Sequence, residues 1–128
     1  MRLHANTFES MVLINNNSSF EPIDLPYQAQ ISSINDFLID DYNNDGNKDI
    51  LIVGNLFTSE VETTRNDASY GLILTGNGDG TFKAMSRKET GFYAPSDAKK
   101  LHVVNLKNEQ GIIVGNNNDI IKYFKRIE

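Results

Sequence analysis

Two parts of this chain repeat one another at a distance of about sixty residues, and that repetition limits the fold more than any other feature. The apolar run Val12-Leu13-Ile14 leads through an Asn- and Ser-rich turn to Phe20. The run Leu72-Ile73-Leu74 leads through Asn77-Gly78-Asp79-Gly80-Thr81 to Phe82, which places the two phenylalanines 62 residues apart. Leu51-Ile52-Val53-Gly54-Asn55 recurs as Ile112-Ile113-Val114-Gly115-Asn116 at a spacing of 61. Asn makes up 16 of the 128 residues and clusters with Gly and Asp between the apolar runs. These residues tolerate positive φ and cap their own backbone, so the clusters mark tight turns between short strands.

Alternating apolar runs bounded by such turns predict strands at 10–15, 20–25, 34–40, 49–55, 70–75, 82–85, 100–106, 111–116 and 120–125. Val, Ile, Tyr and Phe fill these runs, helical periodicity is absent, and no helix longer than two turns is expected. The fold class is therefore all-β. A repeat of this length holding four short strands matches a propeller-type blade, and exceeds the roughly 40 to 50 residues of the commonest repeat families. The chain then reads as two four-stranded antiparallel blades, at about 9–69 and 70–128, forming a partial β-propeller. Propellers typically close with about four to eight blades, so such a pair must be capped, associate with a copy of itself, or belong to a longer protein. A single β-sandwich or meander with merely similar strands is the plainer alternative.

Charge and composition exclude several classes of function. With 12 Lys and Arg against 17 Asp and Glu the net charge is −5, which gives no general attraction for nucleic acid or an anionic membrane. Apolar runs are of strand length, far below the roughly 20 residues of a membrane helix. The chain has no cysteine, so disulfides, thiolate metal sites and thiol nucleophiles are all excluded. The opening residues carry no secretion leader as they stand.

The most informative segment is Asp41-Tyr42-Asn43-Asn44-Asp45-Gly46-Asn47-Lys48-Asp49, between two predicted strands. Oxygen donors fall at its first, third, fifth and ninth positions, and Gly46 permits the sharp bend that turns them onto one point. Calcium takes roughly six to eight oxygens at about 2.3 to 2.6 Å. The side chains of Asp41, Asn43, Asp45 and Asp49, the peptide carbonyl of Asn47, and water can supply them. The segment opens like an EF-hand loop, yet its twelfth residue is Ile52 rather than Glu, and strands replace the flanking helices. The metal-free alternative is an Asx-rich turn whose side chains cap backbone amides. The corresponding segment of the second repeat, 105–111, holds Lys107 and one acid, Glu109, so one metal is expected rather than two.

From Phe37 to Asn55 the string resembles an FG-GAP/VCBS repeat, the blade of integrin α-type propellers. Asn77-Gly78-Asp79-Gly80-Thr81-Phe82 is similar to a turn that recurs in that family. The resemblance covers one good and one degraded repeat. It implies that Asp41, Asn43, Asp45, Asn47 and Asp49 form a calcium loop, with the second repeat departing at every acidic position. It further implies a C-terminal piece of a larger extracellular or cell-surface protein serving recognition or adhesion.

Catalytic constellations are absent. His4 lies near the terminus, His102 within a strand, and Asp40 and Asp41 point to opposite faces of a regular strand. A carboxylate pair drawn from Glu60, Glu62, Asp67 and Glu89 has no spacing in its favour. The chain is therefore read as non-enzymatic. The long connection 56–69, with Glu60, Glu62, Arg65 and Asp67, is a second candidate surface. Phe92 and Tyr93 are candidates to stack on a carbohydrate or a protein partner. A carbohydrate-active module using loop carboxylates, and a purely structural pair that assembles with other blades or as a homo-oligomer, remain as alternatives.

Overall fold

The computed structural model describes residues 1–107 and 109–127. Among them nine strands follow in order: β1 (Met11–Asn15), β2 (Phe20–Asp24), β3 (Ile34–Asp40), β4 (Asp49–Gly54), β5 (Leu72–Gly76), β6 (Phe82–Ala84), β7 (Ala98–Leu106), β8 (Glu109–Asn116) and β9 (Lys122–Lys125). Every predicted strand is present, and the fold is all-β and antiparallel. Helix is confined to a 3₁₀ turn at Tyr27–Ala29 and one turn of α-helix, α1 (Arg87–Thr90). Ser86 and Glu89 close a capping box at the start of α1, and Gly91 at φ 66° ends it.

The strands form a two-stranded sheet β1-β2, a four-stranded meander β3-β4-β5-β6 and a three-stranded sheet β7-β8-β9. This corrects the expectation of two four-stranded sheets. The expected boundary at 69/70 falls inside the meander, between β4 and β5, so the repeat seen in sequence is out of phase with the sheets.

The three sheets stack, and period-2 alternation divides the core between them. β4 is buried at every position. Its Leu51 and Val53 turn to the β7-β8-β9 side, where they join Ile73, Phe92, Leu101 and Val114. Ile50 and Ile52 turn the other way, to Leu74, Leu25 and Ala29, with Val12 of β1 against them. Because Leu51 is only 1% exposed, truncating it to Ala is expected to cost about 2 to 5 kcal/mol.

Ladder registers give the repeat its true phase. In β3-β4 the pairs are Ile34↔Gly54, Asp36↔Val53, Phe37↔Ile52, Leu38↔Leu51 and Ile39↔Ile50. In β7-β8 they are Ala98↔Asn116, Lys100↔Gly115, Leu101↔Val114, His102↔Ile113 and Val103↔Ile112, with the register irregularity at the same place. β4 therefore maps onto β8 at 62 residues rather than 61. Ladder β4-β5 maps likewise onto β8-β9, with Leu51↔Ile73 matched by Ile113↔Tyr123. Ladder β1-β2 maps onto β5-β6, with Leu13↔Pro22 matched by Leu74↔Ala84. The chain thus holds one complete four-stranded unit, preceded by the counterpart of its last two strands and followed by the counterpart of its first three.

Candidate metal centre

The acidic loop leaves β3 at Asp40 and enters β4 at Asp49, and its side chains close it from within. Asn44 at φ 59° and Gly46 at φ 88° provide the left-handed bends. The backbone N–H of Asp45 points at both Asp41 Oδ1 (3.1 Å) and Asn43 Oδ1 (3.0 Å), so these two oxygens crowd around one amide. Gly46 N–H donates to Asp41 Oδ2 at 2.8 Å, and Asn47 N–H donates to Asp45 Oδ1 at 2.8 Å. Asn43 Nδ2 donates to Asp45 Oδ2 at 2.8 Å. The Asn47 amide, helped by the Asn43 side chain, holds the Asp45 carboxyl below the usual range, which leaves it charged at neutral pH.

Asp41, Asn43 and Asp45 are thus brought together on one short bend. Each carboxylate oxygen spent on an amide keeps a further lone pair, so this donor set, all oxygen, fits a hard cation such as calcium. Asn47 sends its side chain toward the β5-β6 turn, where its Oδ1 would lie 2.7 Å from a Cβ at Gly78. Its peptide carbonyl is the donor it has to offer. Asp49 has a different position. It is fully buried, and its Oδ2 and Oδ1 accept the backbone N–H of Tyr42 (2.9 Å) and of Gly76 (3.0 Å). It ties the start of the loop to β5 from beneath. Among the described residues no three His, Cys, Asp or Glu side chains converge as a metal cluster; the loop offers two carboxylates and an amide at its bend.

One contact of the loop has no trace in the local sequence. Arg126, following β9, reaches across the sheets: its Nη1 donates to Asp40 Oδ2 at 2.9 Å, and its Nη2 to the peptide oxygen of Asp41. The guanidinium also lies 5.7 Å from the centre of the Tyr42 ring. Burial, reinforced by the negative charge of Asp40, pushes the Tyr42 phenol up to about 12.

The other candidate residues are dispersed. Phe92 is 5% exposed and packs on Phe124 in the core at 4.6 Å, so it is not available to stack on a ligand, contrary to the expectation from sequence. Tyr93 is at the surface, stacked on Tyr70 at 5.7 Å, with the Arg87 guanidinium 4.3 Å from its ring centre. In the long connection, Glu60 and Glu62 are exposed. Arg65 lies over the Phe57 ring at 4.6 Å and pairs with Asp67 at 2.7 Å. Glu89 is engaged by Ser86 in the cap of α1. His4 and His102 are both exposed.

Comparison with known proteins finds no matching family model, no matching curated protein and no matching solved structure. No described helix is long and apolar enough to cross a membrane.

Proposed function

We propose that this chain is a non-catalytic calcium-binding repeat module of the FG-GAP/VCBS kind, with propeller-type sheets, serving recognition or adhesion at a cell surface or outside the cell. The observation that carries this reading is the crowding of Asp41 and Asn43 oxygens on the single amide of Asp45, with the Asp45 carboxylate beside them. Asp41, Asn43 and Asp45, with the Asn47 carbonyl, would hold the ion. A bound dication would relieve the repulsion between the loop carboxylates and stiffen the β3-β4 connection. The residue-by-residue match of ladders supports the repeat character.

Calcium in the folded state raises stability by mass action. At about 10 mM calcium, and a Kd of about 10⁻⁴ to 10⁻³ M as in extracellular modules, the gain is about 1.4 to 2.7 kcal/mol. The test is thermal melting with EDTA and with calcium. The parent melts higher with calcium, Asp45→Ala abolishes the rise, and Glu109→Ala, at the start of β8, retains it. A calcium response that survives Asp45→Ala defeats the reading.

A second reading, assembly with further sheets of the same kind or with another copy, has its own observation. Phe37 is 54% exposed on the face of β3, whereas its ladder counterpart Leu101 is 7% exposed because the meander covers it. Sedimentation of the parent and of Phe37→Ser tests it: a concentration-dependent oligomer lost in the variant supports assembly, and a monomeric parent defeats self-association.

A further inference from the structure

A cavity of about 250 Å³ lies where the connection after β4 meets the approach to β7 and the β8-β9 turn. Phe57, Thr58, Asp97, Asn117, Asn118 and Asp119 line it. Asp97 is 1% exposed; one carboxylate oxygen is 2.5 Å from Lys99 Nζ, and the other accepts Asn117 Nδ2 at 3.1 Å. Asp119 accepts the Ser96 hydroxyl at 2.6 Å. Arg65 holds the Phe57 ring from one side.

The ladder correspondence extends to the rim of the cavity. Asn117 N–H donates to the Asp97 carbonyl just as Asn55 N–H donates to the Ser33 carbonyl. Asn117 is therefore the counterpart of Asn55, and Asp97 that of Ser33. Asn55 spends its side chain on protein partners: its amide donates to the Ser69, Pro95 and Ser96 carbonyls, and its oxygen accepts Ser69 N–H. Beyond Asn55 and Asn117 the two copies part: Leu56 bridges to Asn66 within the long connection after β4, whereas Asn118, at φ 52°, and Asp119 form the short β8-β9 turn.

We infer that this cavity is a binding site for a neutral polyhydroxylated ligand, a single sugar ring. Its groups include both donors (Thr58 hydroxyl, Asn118 amide) and acceptors (Asp97, Asp119, Asn118 carbonyl), and a sugar hydroxyl needs both. A metal ion would use acceptors alone, and the Asp97 charge is already balanced by Lys99. Phe57 supplies the apolar wall that a ring's C–H face requires. The volume admits one ring and little more.

The test is amide chemical-shift mapping of the full chain in EDTA during titration with glucose, galactose, mannose, fucose and N-acetylglucosamine separately. At least one sugar is expected to move Phe57, Thr58 and Asn117 to Asp119 together and saturably. Thr58→Val and Asn118→Gly, the latter compatible with the φ of 52° at that position, are each expected to weaken that sugar tenfold or more while leaving the spectrum elsewhere unchanged. Asp45→Ala is expected to bind it as the parent does, so failure of the calcium reading and failure of this one are told apart. No saturable shift with any of the five sugars, shifts indifferent to both cavity variants, or shifts produced only by calcium would overturn the assignment.

Discussion

Replacing Asp49 separates the architecture of the acidic loop from its ion chemistry. Its carboxylate accepts one backbone N–H from each side of the loop's base, Tyr42 at 2.9 Å and Gly76 at 3.0 Å, in a site closed to water. Asp49→Ala leaves both donors without acceptors. A buried donor stranded in this way costs about 1 to 3 kcal/mol, so with two of them the variant is expected to lose about 2 to 6 kcal/mol. That is a large share of the roughly 5 to 15 kcal/mol typical of a domain. Asp49→Asn keeps the shape and one acceptor oxygen but turns an NH₂ toward the second amide, and about half the loss is expected. Urea unfolding of parent and both variants, in EDTA and in calcium, measures these differences at constant m. Because the penalty arises from peptide groups, it must be fully present in EDTA. A variant Asp49→Asn as stable as the parent in EDTA, and weaker only with calcium, would refute the reasoning and return Asp49 to the ligand shell.

Arg126→Gln is expected to free the loop's outer side by removing the bonds to Asp40 and the Asp41 carbonyl, at a cost of about 1 to 3 kcal/mol; hydrogen exchange at the Asp45 and Gly46 amides should accelerate. Gly54→Ala places a Cβ 1.6 Å from the Ser33 carbonyl oxygen and should cost more than about 3 kcal/mol in chemical denaturation. Gly46→Ala meets nothing within 4 Å and pays only for its left-handed backbone, about 1 kcal/mol. On the alkaline side, the Tyr42 phenol is raised in the fold from 10.0 to about 12, so its contribution is complete below pH 10 and disappears as pH rises toward 12. On the acid side, burial pushes the Asp97 carboxyl up, but the Lys99 ammonium and Asn117 amide outweigh it. The net lowering makes its contribution complete above the ordinary 3.8 and lost as pH falls below that value. Melting temperature against pH, with phenolate absorbance, tracks both limbs.

All nine strands were legible in the sequence because each is a short apolar run closed by Asn, Asp or Gly, and those closures are local chemistry. Asn17, Asn44, Asn55 and Asn118 do adopt positive φ, at 65°, 59°, 83° and 52°. The bend at 41–47 was legible for the same reason, since its side chains bond to amides at most five residues away. Contacts between sheets leave no such local mark. Arg126 lies 86 residues from Asp40, and its alternating neighbours in β9 read only as an edge strand. Phe92 follows the turn at Gly91 and looks like a loop aromatic, yet Phe124 and Val114 bury it.

The phase of the repeat shows how a nearly correct alignment can mislead about faces. Matching Gly54-Asn55 to Gly115-Asn116 pairs Leu51 with Ile112, which would assign both to the same side of their sheets. In the structure Leu51 turns toward β7-β8-β9 while Ile112 turns back toward β4, as two facing sheets require. The ladders pair Ile112 with Ile50 instead, one residue over, and a one-residue slip in a strand exchanges its faces. Under the corrected phase Asn55 is matched by Asn117, the residue whose N–H makes the equivalent bond and whose side chain donates to Asp97 in the cavity wall. The Gly-Asn match conceals that equivalence, because it sets Asn55 against Asn116, whose side chain instead donates to the Ile120 carbonyl across the β8-β9 turn.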